Sequence, residues 1–217
     1  MEIMSKFDLV QELFDDIPYM RHREAGILRD LIDEKRPRRL LELGFYHGKS
    51  SAYIAAILED LGIDGHLVTL DLTAAQGRQP NIEELLSRTG LTHRVTPLFC
   101  KRSYTWELQR MISAAERPRF DFCYLDGGHT WDVTGFGVLL IDMLLCPGGL
   151  LLLDDMDWMM RTSEYHQSQP GSLAGFDEDE IDAKPVRIVW DTILKHLGYE
   201  QVREYPKAHW GLARKPS

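Results

Sequence analysis

Long uncharged apolar runs are missing from this 217-residue sequence. No stretch approaches the roughly 18 apolar residues of a membrane-spanning helix, and the N-terminal MEIMSKFDLVQELFDD mixes acidic residues among its apolar ones, so a cytoplasmic protein with no membrane partner is expected. Cysteine is scarce. Cys100, Cys123 and Cys146 are odd in number, widely spaced and set in or beside apolar stretches, which argues for reduced core thiols and against a disulfide frame or a zinc site. Basic charge is in deficit: Lys plus Arg is 25 against 34 for Asp plus Glu, a net charge of −9 with His neutral. Phosphate binding draws on clustered basic charge, so nucleic acid is not an expected partner. Internal repeats, low-complexity tracts and dividing linkers are absent too, and the length suits one α/β domain over 1–217.

What the chain does have is 44% hydrophobic residues, enough for a sizeable core, arranged in a regular alternation. Apolar bursts at 40–43, 66–72, 94–100, 120–125 and 150–153 are of strand length. Between them apolar residues recur at helical spacing, as in Leu108, Met111, Ile112 and Ala115, or Val133, Phe136, Gly137, Leu140, Ile141 and Leu144. A last helix over 186–197 precedes two weaker strand candidates, 200–205 and 209–213. The pattern predicts an α/β fold with about seven strands, mostly parallel, and helices on both faces; the four leucines at 150–153 suit a central strand covered on both sides. Two segments stand outside the alternation, an N-terminal helical part, 1–36, and a polar insertion, 159–185, whose acidic run 177–180 reads as a solvated face. Both are expected to cover a site at the carboxyl edge of the sheet, where open α/β sheets bind ligands. The close-set Phe7, Leu9, Val10, Leu13 and Phe14 could pack on a second subunit, making a homo-oligomer, or across the chain's own sheet.

The first strand-to-helix turn, LLELGFYHGKS, places Glu42 at the end of a strand, then Gly44, Gly48 and a helix opening at Ser50 or Ser51. Glycines there allow a sharp turn and a close approach to a ligand, and the helix N-terminus offers amides to an anion. Asp71, ending the second strand, can accept hydrogen bonds from ribose hydroxyls, so the two features agree on a nucleoside ligand. The spacing E-x-G-x-x-x-G departs from G-x-G-x-x-G and weakens a nicotinamide-dependent reading.

LLELGFYHGKSSAYIA resembles the first motif of the class I S-adenosylmethionine-dependent methyltransferases, and is especially similar to that of the catechol-type O-methyltransferases. The resemblance spans about 38–153 and implies a Rossmann-like methyltransferase fold. It also implies that Glu42, Gly44, Tyr46, Gly48 and Ser50 line the methionine part of S-adenosylmethionine, that Asp71 holds the ribose, and that 101–104 lies beside the adenine, with Ser103 as the candidate contact. His47 reads as loop packing or a cofactor-side contact.

Two further stretches, FDFCYLDGGHTW and PGGLLLLDDMDW, put Asp126 and the pair Asp154 and Asp155 at the carboxyl ends of two strands expected to be neighbours. Carboxylates converging on one edge repel unless neutralised, and a hard cation such as Mg²⁺, or another divalent ion, is the economical answer. Without a metal, Asp126 would contact the cofactor's amino group and the pair would be a turn and a helix cap. The resemblance favours the metal, because catechol-type and macrolide or aminocoumarin sugar O-methyltransferases hold Mg²⁺ with acidic residues at the positions of Asp126, Asp154 and Asp155. The chain departs from the catechol type in Asp155, where that group has Asn, and in His129, where it has Lys; this brings it nearer the sugar enzymes. His129, three residues after Asp126, is the expected general base. Trp131, Trp158, Met156, Met159 and Met160 are candidates for an apolar acceptor wall. The expected activity is therefore Mg²⁺-dependent O-methylation of a small-molecule hydroxyl, sugar-bearing or aromatic. The alternatives are a metal-independent N- or carboxyl-methyltransferase, a nicotinamide-dependent oxidoreductase and a non-catalytic cofactor-binding protein.

Overall fold

Alternate residues of the central strands serve two different cores. In a computed structural model that describes residues 4–217, β1 (Arg39–Leu43), β2 (His66–Leu72), β3 (Val95–Cys100), β4 (Phe120–Leu125), β5 (Leu145–Leu153), β6 (Glu200–Tyr205) and β7 (Trp210–Arg214) form one seven-stranded sheet in the order β3-β2-β1-β4-β5-β7-β6. Strands β1 to β5 pair in parallel, and β7 runs antiparallel to both β5 and β6. Leu40, Leu67, Phe122, Leu150 and Leu152 face one side, and Leu41, Leu70, Cys123, Leu151 and Leu153 the other. All four residues at 150–153 are buried, as a strand covered on both faces requires.

The first face is covered by α1 (Lys6–Phe14), α2 (His22–Lys35), α3 (Lys49–Asp60) and α4 (Ile82–Thr89); the second by α5 (Tyr104–Ser113), α6 (Trp131–Leu144) and α9 (Pro185–Val189). Local signals set several ends. Ser5 caps α1 by accepting from the Asp8 amide, Asn81 caps α4 by accepting from that of Glu84, and Gly90 ends α4 in a left-handed turn. The apolar residues of α1 pack across the molecule itself. Phe7, Val10 and Phe14 are buried, and the Phe7 ring lies 5.0 Å from that of Tyr53 in α3. Residues 1–3 of the expected N-terminal segment lie outside the described residues.

Three elements differ in detail from the sequence reading. β5 starts at Leu145, five residues early, and its register with β4 shifts between Phe120 and Phe122, because Pro147-Gly148-Gly149 breaks the hydrophobic pattern without ending the strand. The last helix widens after α9 into a π-helical turn, Trp190–Leu194, where the Trp190 ring lies so close to Gly211 that any side chain there would meet it at 2.9 Å. The polar insertion folds into short pieces, including α7 (Glu164–Ser168) and α8 (Glu178–Ile181), anchored by buried Met160 and Ile181. Arg161 pairs with Glu178 and Asp182, so the acidic run is partly neutralised from within the insertion. No helix among the described residues is long and apolar enough to cross a membrane.

Candidate active site

The strand order reverses between β2-β1 and β4-β5, and at the carboxyl ends of these strands a cavity of about 890 Å³ opens. Its floor is the turn after β1. Gly44 adopts φ +93, its amide donates to the Leu70 carbonyl, and a Cβ at this position would sit 2.3 Å from the Asp126 carbonyl oxygen. Only glycine fits such a conformation and approach. Asp71 fastens the same turn, its Oδ2 accepting from the amides of Phe45 at 2.8 Å and Tyr46 at 2.5 Å. The Tyr46 ring is held between Arg78, whose guanidinium lies 3.4 Å from the ring centre, and the edge of Tyr19. Helix α3 then begins beside Ser50 with no side chain capping its amides, which leaves them free for an anionic ligand. Lys49, buried at the start of that helix, donates to the Ile17 carbonyl at 2.9 Å and so ties the α1–α2 connector to the cavity wall.

Gly44, Tyr46, Ser50, Asp71 and Asp126 line the cavity, and so does His47, whose Nδ1 lies 2.6 Å from the Pro80 carbonyl. Glu42, Gly48 and Ser103, expected at the cofactor, do not line it. Ser103 is occupied as the cap of α5, accepting from the Thr105 amide. Gly48 faces Ile82 at a distance that admits no side chain. Glu42 is fully buried beneath α3, where its Oε2 accepts from the hydroxyls of Ser51 and Thr69 and its Oε1 has no partner. Burial pushes its carboxyl up to about 7, against the opposing pull of neighbouring hydroxyls. A raised folded-state value favours folding fully below the ordinary carboxyl range, and that contribution disappears as pH climbs through about 7. Glu42→Gln removes this dependence. The variant's stability relative to wild type should therefore rise by up to ~3 kcal/mol between pH 4.5 and 8 in urea titrations. A gap that does not change with pH would contradict the assignment.

The acidic half of the cavity lies across the turn. Asp126 follows β4 and Asp154 and Asp155 follow β5, so the strands deliver them side by side. Asp126, His129 and Asp155 each present one ligand atom within 4.8 Å of the others, and His129 Nε2 is 3.3 Å from Asp155 Oδ2. Asp154 lines the same cavity but is not part of this group. Its carboxylate accepts from the Tyr124 hydroxyl and from the Asp155 amide, with a further bond from Trp210. The cause is Tyr124 itself, whose ring is wholly buried two residues before Asp126 and whose hydroxyl requires an acceptor. That hydroxyl also lies 3.3 Å from Asp126 Oδ2.

The charges are poorly balanced. Burial and the neighbouring charges of Asp154 and Asp155 drive the Asp126 carboxyl far above its usual range, and burial and Asp155 push Asp154 up to about 7. Among the described residues no Lys or Arg forms an ion pair with any of the three; His129 is the one basic partner, and burial lowers its own proton affinity. This donor set, two carboxylates and an imidazole short of positive charge, fits a divalent cation.

On the outer wall Trp158 stands with its ring 5.3 Å from His129 and 6.2 Å from His166, and Tyr165 continues the aromatic lining. The other members of the expected wall are elsewhere. Met156 and Met160 are core residues, and Trp131 and Met159 do not reach the cavity. The N-terminal part covers this edge of the sheet through Tyr19, Met20 and Arg21 of the α1–α2 connector and Glu24 of α2, whereas a further contribution carried no sequence signal: the β6–β7 turn with the first residue of β7, which brings Lys207, His209 and Trp210. Non-glycine residues at positive φ cluster here. Tyr19, Met20, Tyr46, Asp155 and His209 all line the cavity, while Arg36, at the end of α2, does not.

Comparison with solved structures shows the fold. An O-methyltransferase from Bacillus cereus, solved with S-adenosylhomocysteine, is 16% identical and matches with a TM-score of 0.68 over 99% of this chain and 91% of its own. The O-methyltransferase TomG from Streptomyces achromogenes, involved in tomaymycin synthesis and solved with S-adenosylmethionine, is 17% identical, with a TM-score of 0.66 over 100% and 92% of the two chains. The S-adenosylhomocysteine-bound methyltransferase PaMTH1 of Podospora anserina is 14% identical, with a TM-score of 0.69 over 99% and 89%. No curated protein sequence matches the chain. The family model described as a methyltransferase domain matches residues 41–156, from β1 through both acidic turns and over more than half the sequence, and the protein belongs to that methyltransferase family.

Proposed function

We propose that the protein transfers the methyl group of S-adenosylmethionine to a hydroxyl oxygen of a small molecule and does so with a divalent cation, Mg²⁺ in the first instance. The observation that carries this reading is the convergence of Asp126, His129 and Asp155 in the same cavity as the open amides of α3. S-adenosylmethionine would supply an electrophilic methyl group, and a cation held by Asp126 and Asp155 would supply the charge that acidifies an acceptor hydroxyl. The chain's own groups do the rest. The α3 amides and Ser50 bind the carboxylate end of the cofactor, and Asp71 accepts from ribose hydroxyls with the lone pairs not given to the amides of Phe45, Tyr46 and Leu72. Asp154 holds Asp126 in place through Tyr124, and His129 accepts the acceptor's proton at a ring nitrogen. Trp158, Tyr165 and Tyr19 give the acceptor side an aromatic lining suited to an aromatic or sugar-bearing molecule.

A second reading makes His129 the third ligand of the cation, because its nitrogen lies within the same 4.8 Å group. One variant separates the two. His129→Ala is expected to lower turnover by at least about a hundredfold, with Mg²⁺ binding in calorimetry retained if His129 is the base and lost if it is a ligand. Titration of S-adenosylhomocysteine with and without Mg²⁺ tests the whole scheme. Absence of cofactor binding would overturn it, and methyl transfer indifferent to EDTA would move the assignment to a metal-independent N- or carboxyl-methyltransferase.

A further inference from the structure

Helix α6, WDVTGFGVLLIDML, is apolar nearly all the way round, with Asp132, Thr134 and Asp142 as its polar members. A helix of that kind is normally covered on every side. Its inner side is covered, since Val138, Ile141 and Leu144 are buried against the sheet. Its flanks are covered too. A side chain at Gly135 would meet Ile193 at 2.9 Å and one at Gly137 would meet Tyr104 at 2.9 Å, so the two glycines draw in the neighbouring helices on either side. The outward stripe is left open: Phe136, Leu139 and Met143, spaced three and four residues apart, are 54%, 41% and 43% exposed. Trp106 on α5 and Ile188 on α9, the helices packed against α6, are exposed as well. None of these five residues lines the cavity.

We propose that this face joins two copies of the chain about a two-fold axis passing close to Leu139, with α6 lying antiparallel on α6 of the second copy. Three observations select a second copy as the occupant. The five side chains present roughly 500 Å² of apolar surface, at the upper end of what a monomer leaves open and well over half of the ~800 Å² per partner of a standard interface. The stripe is self-complementary, because an antiparallel pairing centred near Leu139 sets Phe136 opposite Met143 of the partner subunit and Leu139 opposite its own equivalent, as an isologous contact requires. The ends are complementary in charge. Asp132 opens α6, and at the other end the Arg119 guanidinium donates to the carbonyls of Met143 at 3.1 Å and Leu145 at 3.0 Å, so the antiparallel arrangement brings an acidic end against a basic one twice over. The apolar residues of α1 do not compete for this role, since α3 already covers them.

Sedimentation velocity on the full chain at micromolar concentrations tests the proposal. Wild type is expected to sediment at twice the 25.0 kDa chain mass. Phe136→Glu and, separately, Met143→Lys should each return it to a single chain with an unchanged far-ultraviolet circular dichroism spectrum. Combining the two in one chain places opposite charges across the two-fold axis, and dimer should reappear. A monomeric wild type would overturn the proposal and leave the face to some other partner, and a dimer that survives both single substitutions would place the interface elsewhere. If Phe136→Glu fails to fold, Met143→Lys, at the exposed end of the helix, decides the matter alone.

Discussion

Asp126→Ala and Asp155→Ala should each reduce methyl transfer to a hydroxyl acceptor by about 10³- to 10⁵-fold, the several kcal/mol that a catalytic cation supplies. The same variants should abolish the heat of Mg²⁺ binding while leaving S-adenosylhomocysteine affinity within a few-fold for Asp155→Ala. The expectation rests on the placement of these two side chains, which together with His129 form the one group of potential ligand atoms among the described residues. Asp154→Ala provides the internal contrast. Its carboxylate is committed to Tyr124 and the Asp155 amide, so its loss should weaken Mg²⁺ binding less than the loss of either neighbour and should be mimicked in part by Tyr124→Phe. Equal damage from all three substitutions would mean that Asp154 turns to the cation when one is bound. Wild-type rates in Asp126→Ala would remove the acidic cluster from the mechanism.

The second large effect is expected at Gly44, where a single methyl group should erase cofactor binding. The turn holds Gly44 at φ +93 and its Cβ position 2.3 Å from the carbonyl oxygen of Asp126, so alanine meets both a disfavoured torsion and a backbone wall. Relief requires β1 and the segment after β4 to separate, and that segment carries Asp126. Gly44→Ala should cost several kcal/mol of stability, ~3 kcal/mol or more. S-adenosylhomocysteine binding should be undetectable by calorimetry even where the protein is still folded. Gly26→Ala is the control, because Gly26 lies within α2 with nothing close to its Cβ position and away from the cavity. Unimpaired binding in Gly44→Ala would show that the turn can shift without consequence for the site.

Much of this site was legible in the sequence because β-to-α turns concentrate chemistry at short spacings. Gly44, Tyr46 and Ser50 come from one such turn, Asp126 and His129 from another, and each needs only its own strand and helix to be placed. Less legible are the positions where a residue's orientation depends on a partner distant in sequence. Asp154 reads like its neighbour Asp155, but one of its oxygens accepts from the buried hydroxyl of Tyr124, thirty residues earlier. Glu42 looks like a cavity residue until Ser51 and Thr69 draw it beneath α3. Trp131 and Trp158 are equally plausible as wall residues by type. The pleat and the helix rotation decide between them, turning Trp131 outward at the start of α6 and Trp158 onto His129. The β6–β7 turn was invisible for a simpler reason: it carries no motif and reaches the cavity only because β7 inserts beside β5, while the N-terminal cover was legible as a segment but not in which of its residues reach the cavity, since that depends on how α1 docks on α3.

The left-handed backbone at Tyr19, Met20, Tyr46, Asp155 and His209 has a bearing on any attempt to harden this protein against heat. Five such torsions store free energy of the order of 5 kcal/mol, comparable with the whole net stability of a small domain. Glycine at any of them would release part of that store, so a library selected on heat survival alone would be drawn to these positions. Every one of them is also a piece of the cavity wall. Survivors of such a selection would tend to be sturdier proteins with a slacker catalytic cleft, and a selection meant to preserve turnover should hold these five codons fixed.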